Sequence, residues 1–118
     1  MKLSRVQELL NAKVYSGENM IFETEVKEAC GSDLMSDVLA FVKDQGLLLT
    51  GLQNLQVIRT AEMMDMICIV FVRSKTPTEE MLELARDSGI VIMRTKKRLY
   101  EACGLLYTNG LVGNKVKE

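Results

Sequence analysis

Two apolar runs in the middle of the chain stop abruptly, and each time a helical pattern takes over. Leu47-Leu48-Leu49 gives way to Thr50-Gly51-Leu52-Gln53-Asn54, and Ile67-Cys68-Ile69-Val70-Phe71-Val72 gives way to Arg73-Ser74-Lys75-Thr76-Pro77. Runs without polar alternation predict strands covered on both faces, which is the signature of an α/β domain. Ligands of such sheets sit beyond the carboxyl ends of the strands. The two junctions are therefore where a site is expected.

The rest of the pattern fills in around them. A helix is predicted over 4–12, with Ser4 as its cap and Val6, Leu9 and Leu10 on one side. A short strand over 13–17 follows, and Met20, Ile21 and Phe22 read as an optional edge strand within 18–24. A strand over 25–30 leads into Gly31-Ser32-Asp33 and a helix over 34–44, capped by Ser32 or Asp33 and stopped by Gly46. Its apolar set, Leu34, Met35, Val38, Leu39, Phe41 and Val42, is broad enough to lie on a sheet. Strand 47–50 precedes a helix over 54–64, and strand 67–72 precedes a helix opened by a capping box, Thr76-Pro77-Thr78-Glu79, and ended by Gly89. A strand over 90–93 and a helix over 95–108 close the series, the helix carrying Leu99, Ala102, Cys103, Leu106 and Tyr107 on one face and stopped by Gly110. The tail from about 112 reads as frayed. Alternating strands and helices with right-handed crossovers predict a single α/β domain over 1–118, with a mixed, mostly parallel sheet and helices on both faces. Residues 12–24 supply its antiparallel edge.

Length and charge narrow the partners. The 118 residues are 47 % hydrophobic and 26 % charged, ordinary for one globular domain. The net charge of −1, from 15 basic and 16 acidic residues, argues against binding driven by nucleic-acid phosphates. Lys96-Lys97-Arg98 is the one basic cluster, and it reads as solvated surface at a helix start. With no leader pattern and no apolar run near the ~18 residues needed to cross a bilayer, a cytoplasmic protein without a membrane partner is expected. Cys30, Cys68 and Cys103 are an odd set without paired spacing, and the chain has no histidine. Neither a metal nor any other cofactor is therefore expected.

The same inventory disfavours catalysis. The turn after 47–50 has one glycine and no lysine, and the turn after 67–72 has no glycine, so neither can wrap a triphosphate as a phosphate-binding loop does. The Gly-x-Gly-x-x-Gly of a dinucleotide fold is absent. Without histidine, no serine or cysteine has an activating base. Glu62, Asp65, Glu79, Glu80 and Glu83 fall on helices, where solvated surface accounts for them. Binding remains. Thr50, Gln53 and Asn54 lie at one helix start, and Arg73, Ser74 and Lys75 precede another, so these six are the candidate ligand-binding residues. Arg73 and Lys75 suit a phosphate or carboxylate. The alternative is that the hydroxyls only cap helices and the two bases are solvated. Met63, Met64 and Met66 fill a core or form an adaptable surface; adjacent Met63 and Met64 cannot share a face, so one is free for self-association.

The stretch Ser32-Asp33-Leu34-Met35-Ser36-Asp37-Val38-Leu39, the strand–turn Leu49-Thr50-Gly51 and Val57-Ile58-Arg59-Thr60-Ala61 resemble a DRTGG domain. So do Ile69-Val70-Phe71-Val72 and the Pro77 that follows, and the likeness runs over about residues 8–110. DRTGG domains occur alone and beside CBS domains in regulated pyrophosphatases, with a fold similar to the amino-terminal domain of HPr kinase/phosphorylase. The resemblance implies an α/β domain that forms a homodimer, a regulatory or ligand-sensing role, and docking on a metabolic or redox enzyme. The family's Asp-Arg pair falls at Gln53 and Asn54, and its Thr-Gly-Gly at Val72, Arg73 and Ser74, so every namesake position differs. The expected function is thus a non-catalytic regulatory module. The alternatives are a nucleotide- or carboxylate-binding protein using the rim after 47–50 and 67–72, or an enzyme of unassigned reaction.

Overall fold

The computed structural model describes residues 1–41, 46–73 and 76–113. The chain runs α1 (Leu3–Leu10), β1 (Lys13–Ser16), β2 (Ala29–Gly31), α2 (Met35–Phe41), β3 (Leu47–Thr50), α3 (Leu55–Met63), β4 (Cys68–Phe71), α4 (Glu79–Ser88), β5 (Val91–Arg94) and α5 (Leu99–Thr108). The five strands form one sheet in the order β1-β5-β4-β3-β2. β2, β3, β4 and β5 are parallel, and β1 is antiparallel to β5. This is the mixed α/β sheet that the pattern predicts.

The unbroken apolar runs follow from two-sided burial. Leu47, Leu49, Cys68, Val70, Val91 and Met93 face a layer with α1 and α5, through Leu3, Val6, Leu10, Ala102 and Leu106. Leu48, Ile69, Phe71 and Ile92 face the opposite layer, with Val38, Val57, Ile58, Ala61, Met81, Leu82 and Ala85 from α2, α3 and α4. Because β2 to β5 lie side by side in chain order, each crossover moves one place in the same direction. Right-handed crossovers then put α2, α3 and α4 on one face. The chain changes face only after β5, where α5 joins α1.

Local chemistry moved several boundaries. α1 begins at Leu3, and Ser4 is not its cap; the amides of Leu3 and Ser4 donate to the carbonyls of Thr24 (3.0 Å) and Ile21 (2.9 Å). Those carbonyls are thereby spent, so residues 18–24 form turns and not an edge strand. The strand expected over 25–30 shrinks to β2, because Val26 pairs with Met1 instead of the sheet (N–H to O, 2.8 Å). Among the described side chains of α2, Val38 alone is buried, and Leu39 is exposed, as is Leu34 just ahead of the helix. The expected end of that helix, including Val42, lies outside the described residues. Thr78, and not Thr76, caps α4 by accepting the N–H of Met81 (3.3 Å). α5 starts at Leu99 because Thr95 is held in extended chain: its N–H reaches Phe71 O (2.9 Å) and its hydroxyl Leu10 O (2.7 Å). Tyr107, expected on the buried face, is exposed.

Phe71 is the largest fully buried side chain of the layer with α3 and α4. Phe71→Ala is expected to cost ~3–5 kcal/mol, through lost transfer energy and the cavity left behind. Urea denaturation checks this; a loss below about 1 kcal/mol would mean that the layer is not packed as described.

Candidate functional site at the carboxyl edge of the sheet

The carboxyl ends of β2, β3 and β4 lie side by side, and the residues just past them meet around one carboxylate. Asp33, two residues beyond β2, accepts from the hydroxyl of Thr50 (Oγ1 to Oδ1, 3.0 Å) and from the N–H of Gly51 (2.6 Å). Its other oxygen, Oδ2, pairs with Nη2 of Arg73 at 3.5 Å. Thr50 is fully buried, and its hydroxyl also accepts the N–H of Leu52 (3.1 Å), which fixes the turn after β3. Asp33 is therefore not the cap of α2. Ser32 instead accepts the Leu34 N–H through Oγ (3.0 Å), just ahead of that helix.

Arg73 reaches Asp33 by crossing the end of β3, and Gly51 is what lets it pass. Any Cβ at Gly51 would collide with the guanidinium. The turn that aims Arg73 is itself unusual, with φ at 65°, a left-handed conformation that non-glycine residues seldom adopt. The N–H of Arg73 donates to the carbonyl of Lys97 (3.0 Å). After β4 the chain leaves toward one face of the sheet and after β5 toward the other, the arrangement that opens a ligand crevice in α/β sheets. Here a hydrogen bond bridges the two loops, and the arginine side chain lies over the neighbouring strand end.

The six candidate residues fare differently. Thr50 and Arg73 come together, through Asp33. Asn54 caps α3, its side-chain oxygen accepting the N–H of Val57 (3.1 Å), so its carboxamide has a structural duty. Gln53 is half-buried in the turn between Leu52 and Asn54. Ser74 and Lys75 lie outside the described residues. Asp33 and Gly51 were absent from the candidate set, although both occupy strand-end positions next to residues in it. The signal was there: an aspartate and a Thr-Gly at the ends of two neighbouring parallel strands.

Asp33 and Arg73 keep side-chain exposures of 46 % and 48 %, so solvent screens their attraction. Half-exposed pairs of this kind contribute ~0–1 kcal/mol. The buried hydroxyl and amide that hold Asp33 matter more, since hydrogen bonds to a charged acceptor are worth ~1.5–3 kcal/mol. Among the acids set aside as surface, Glu62 accepts from Ser88 (2.9 Å) and Glu79 pairs with Arg86 (3.3 Å). Burial pushes the thiol of Cys68 upward. Burial also raises those of Cys30 and Cys103, with smaller contributions from Asp37 on Cys30 and from Cys30 on Cys103. Cys30 and Cys103 pack into opposite layers of the sheet. Among the described residues no cluster of three or more cysteines and carboxylates could hold a metal, and no helix is long and apolar enough to cross a membrane.

Three surface clefts have volumes of ≈ 470, ≈ 200 and ≈ 320 Å³. Thr50, Gln53, Asn54 and Arg73 line none of them. The arrangement at the strand ends is thus a latch with a half-exposed cation.

No protein-family model matches the chain, and no curated protein matches its sequence. Among solved structures, the chain is similar to the CBS and DRTGG domains of the regulatory region of Clostridium perfringens pyrophosphatase, determined in complex with its activator, diadenosine tetraphosphate. The TM-score is 0.71 at 16 % sequence identity, over 89 % of this chain and 45 % of that one. The chain therefore spans less than half of that protein's length, and what the two share is the fold.

Proposed function

We propose that this chain is a non-catalytic, ligand-sensing regulatory module whose responsive element is the Asp33–Arg73 latch. The observation that carries the proposal is the guanidinium itself: a cation aimed by a left-handed turn, passed over a glycine, and paired with the Asp33 carboxylate at 3.5 Å. A ligand carboxylate or phosphate competes with Asp33 for Arg73. The exchange costs little, because the pair is half-exposed and weak while Thr50 and Gly51 continue to hold Asp33. Release of Arg73 then loosens the turn tied to Lys97, and binding at the rim reaches the loop before α5. A regulatory region as the structural neighbour supports this reading.

Self-association is the second component. Tyr100 and Tyr107, seven residues apart and so on one side of α5, are 85 % and 64 % exposed, and Met63 at the end of α3 is 64 % exposed. Aromatic residues of this kind anchor interfaces. A homodimer, or docking on a metabolic or redox enzyme, covers them; nucleic acid and membrane have no part in the proposal.

Three outcomes follow. Thr50→Val is expected to destabilise by ~1–3 kcal/mol, since it strips a buried donor and acceptor from Asp33 and Leu52. Arg73→Ala costs under about 1 kcal/mol, because its pair is screened. Urea midpoints rank the two, and the reverse order would remove Asp33 as the organiser of the rim. In a thermal-shift series of organic acids and nucleotides, a ligand at a hundredfold excess over its Kd stabilises by ~2.7 kcal/mol; the shift disappears in Arg73→Ala, and its persistence there would exclude the latch as the sensor. Sedimentation at tens of micromolar is expected to show a dimer that Tyr100→Glu dissociates, and a monomeric parent chain would refute the dimer.

A further inference from the structure

The cleft of ≈ 200 Å³ at the other end of the carboxyl edge has a chemistry that the latch does not use. It lies between residues 10–13, where α1 passes into β1, and residues 94–97 at the end of β5. Lys13, Arg94, Lys96 and Lys97 all line it, and none of its lining residues is acidic. In a chain whose net charge is −1, four cations around one small hollow are a strong local departure. Lys13, Lys96 and Lys97 form no ion pair with the described residues.

The sheet register adds an independent observation. Lys13 on β1 stands directly opposite Arg94 on β5. Like charges in directly opposed positions destabilise a sheet. Arg94 is fixed as well as charged, its Nη1 donating to the hydroxyl of Thr76 (2.9 Å). Lys13 is propped over the ring of Tyr15, its Nζ 5.0 Å from the centroid. Two cations held side by side are a cost to the fold and an asset to an anion.

The plainest structural account is that these cations answer the negative end of α1, which closes at Asn11 in a left-handed cap. A helix carboxyl terminus carries only about half an elementary charge. Its carbonyls are moreover largely engaged: the hydroxyl of Thr95 holds Leu10 O, and the amides of Asn11 and Ala12 take Glu8 O and Gln7 O. Four cations exceed that demand several times over.

We propose that this cleft binds the oligophosphate group of a small phosphorylated anion. Lysine ammoniums are compact donors that bind phosphate as point charges, and a fixed arginine adds directional bonds. The three lysines alone bring three positive charges to the three to four negative charges of a di- or triphosphate. The volume fits the phosphates alone, since pockets that enclose whole drug-sized ligands run ~300–1,000 Å³. A nucleoside, if attached, projects into solvent. This site goes beyond the sensing role proposed above and does not depend on the Asp33–Arg73 latch.

Isothermal titration with pyrophosphate, tripolyphosphate, ADP and ATP tests it, with sodium chloride matched for ionic strength as the control. Saturable 1:1 binding of tripolyphosphate is expected, weakened at least tenfold by the double substitution Lys13→Gln with Lys97→Gln and changed less than twofold by Arg86→Gln, which lies on α4 outside the cleft. Equal affinity for ATP and tripolyphosphate shows that the phosphates alone are recognised; tighter ATP binding shows that the nucleoside is contacted as well and points to a nucleotide. Amide shifts of the unmodified protein, expected at residues 10–13 and 94–97, decide the matter even where the double variant folds poorly. Heat no greater than in the chloride control, unchanged affinity in a folded double variant, or shifts centred on residues 50–54 and 73 would each overturn the assignment. So would displacement of tripolyphosphate by a DNA duplex at equal phosphate concentration, which would make the patch a nucleic-acid surface.

Discussion

Burial of both faces of β3, β4 and β5 leaves these strands no place for a polar side chain except at their ends. Leu47 to Leu49 and Cys68 to Phe71 alternate between two apolar layers, and neither layer offers a partner to a hydroxyl or a charge. An unpaired polar group there would cost several kcal/mol. Thr50 closes the β3 run, Arg73 is the first residue past the β4 run, and Thr95 follows Arg94, the last residue of β5. All three are tied down at once: Thr50 to Asp33, the Arg73 amide to Lys97 O, and Thr95 to Leu10 O. The carboxyl edge is thus an ordered polar rim because the sheet beneath it is so uniformly apolar.

Within that rim, one carboxylate does the organising. Asp33 collects a buried hydroxyl, a backbone amide and a guanidinium from two further strand ends, so β2, β3 and β4 are joined above the sheet as well as within it. β2 has three residues and is an edge strand, with β3 on one side and, on the other, the Ala29 N–H donating to Val112 O (3.0 Å). Three ladder positions alone make a marginal edge. The Asp33 contacts, with the pairing of Ser32 N–H to Leu49 O (3.0 Å), extend β2's attachment past the ladder. The latch therefore serves the fold and the surface together.

Much of this was legible in the chain. Unbroken apolar runs such as Ile69-Val70-Phe71 announced two-sided burial, Gly89 announced the left-handed end of α4, and Asn54 announced the start of α3. What could not be read was decided by groups distant in sequence. Ser4 lost its capping role because Ile21 and Thr24 lie against the start of α1. Asp33 looked like a cap because the partner that claims it, Gly51, is 18 positions away. Lys96 and Lys97 share a cleft with Lys13, which lies on the antiparallel strand β1 at the far end of the chain, and no local pattern brings them together. Periodicity reports which face a residue takes; it says nothing of which strand ends will be neighbours.

The two cationic features of the edge are not isolated from each other. Lys97 contributes its side chain to the basic cleft and its carbonyl to the amide of Arg73. A ligand that drew Lys97 toward the cleft would act on the hydrogen bond that stabilises the left-handed turn at Arg73, and that turn sets where the guanidinium lies. Coupling between sites requires an element with two arrangements that both ligands bias. The turn at residue 73 is the element both would act on, and it is a costly one: a left-handed arginine persists only while its surroundings hold it. Two ties thus meet at this turn, the backbone bond to Lys97 O and the ion pair from its side chain to Asp33, and the loss of either leaves the other to hold it.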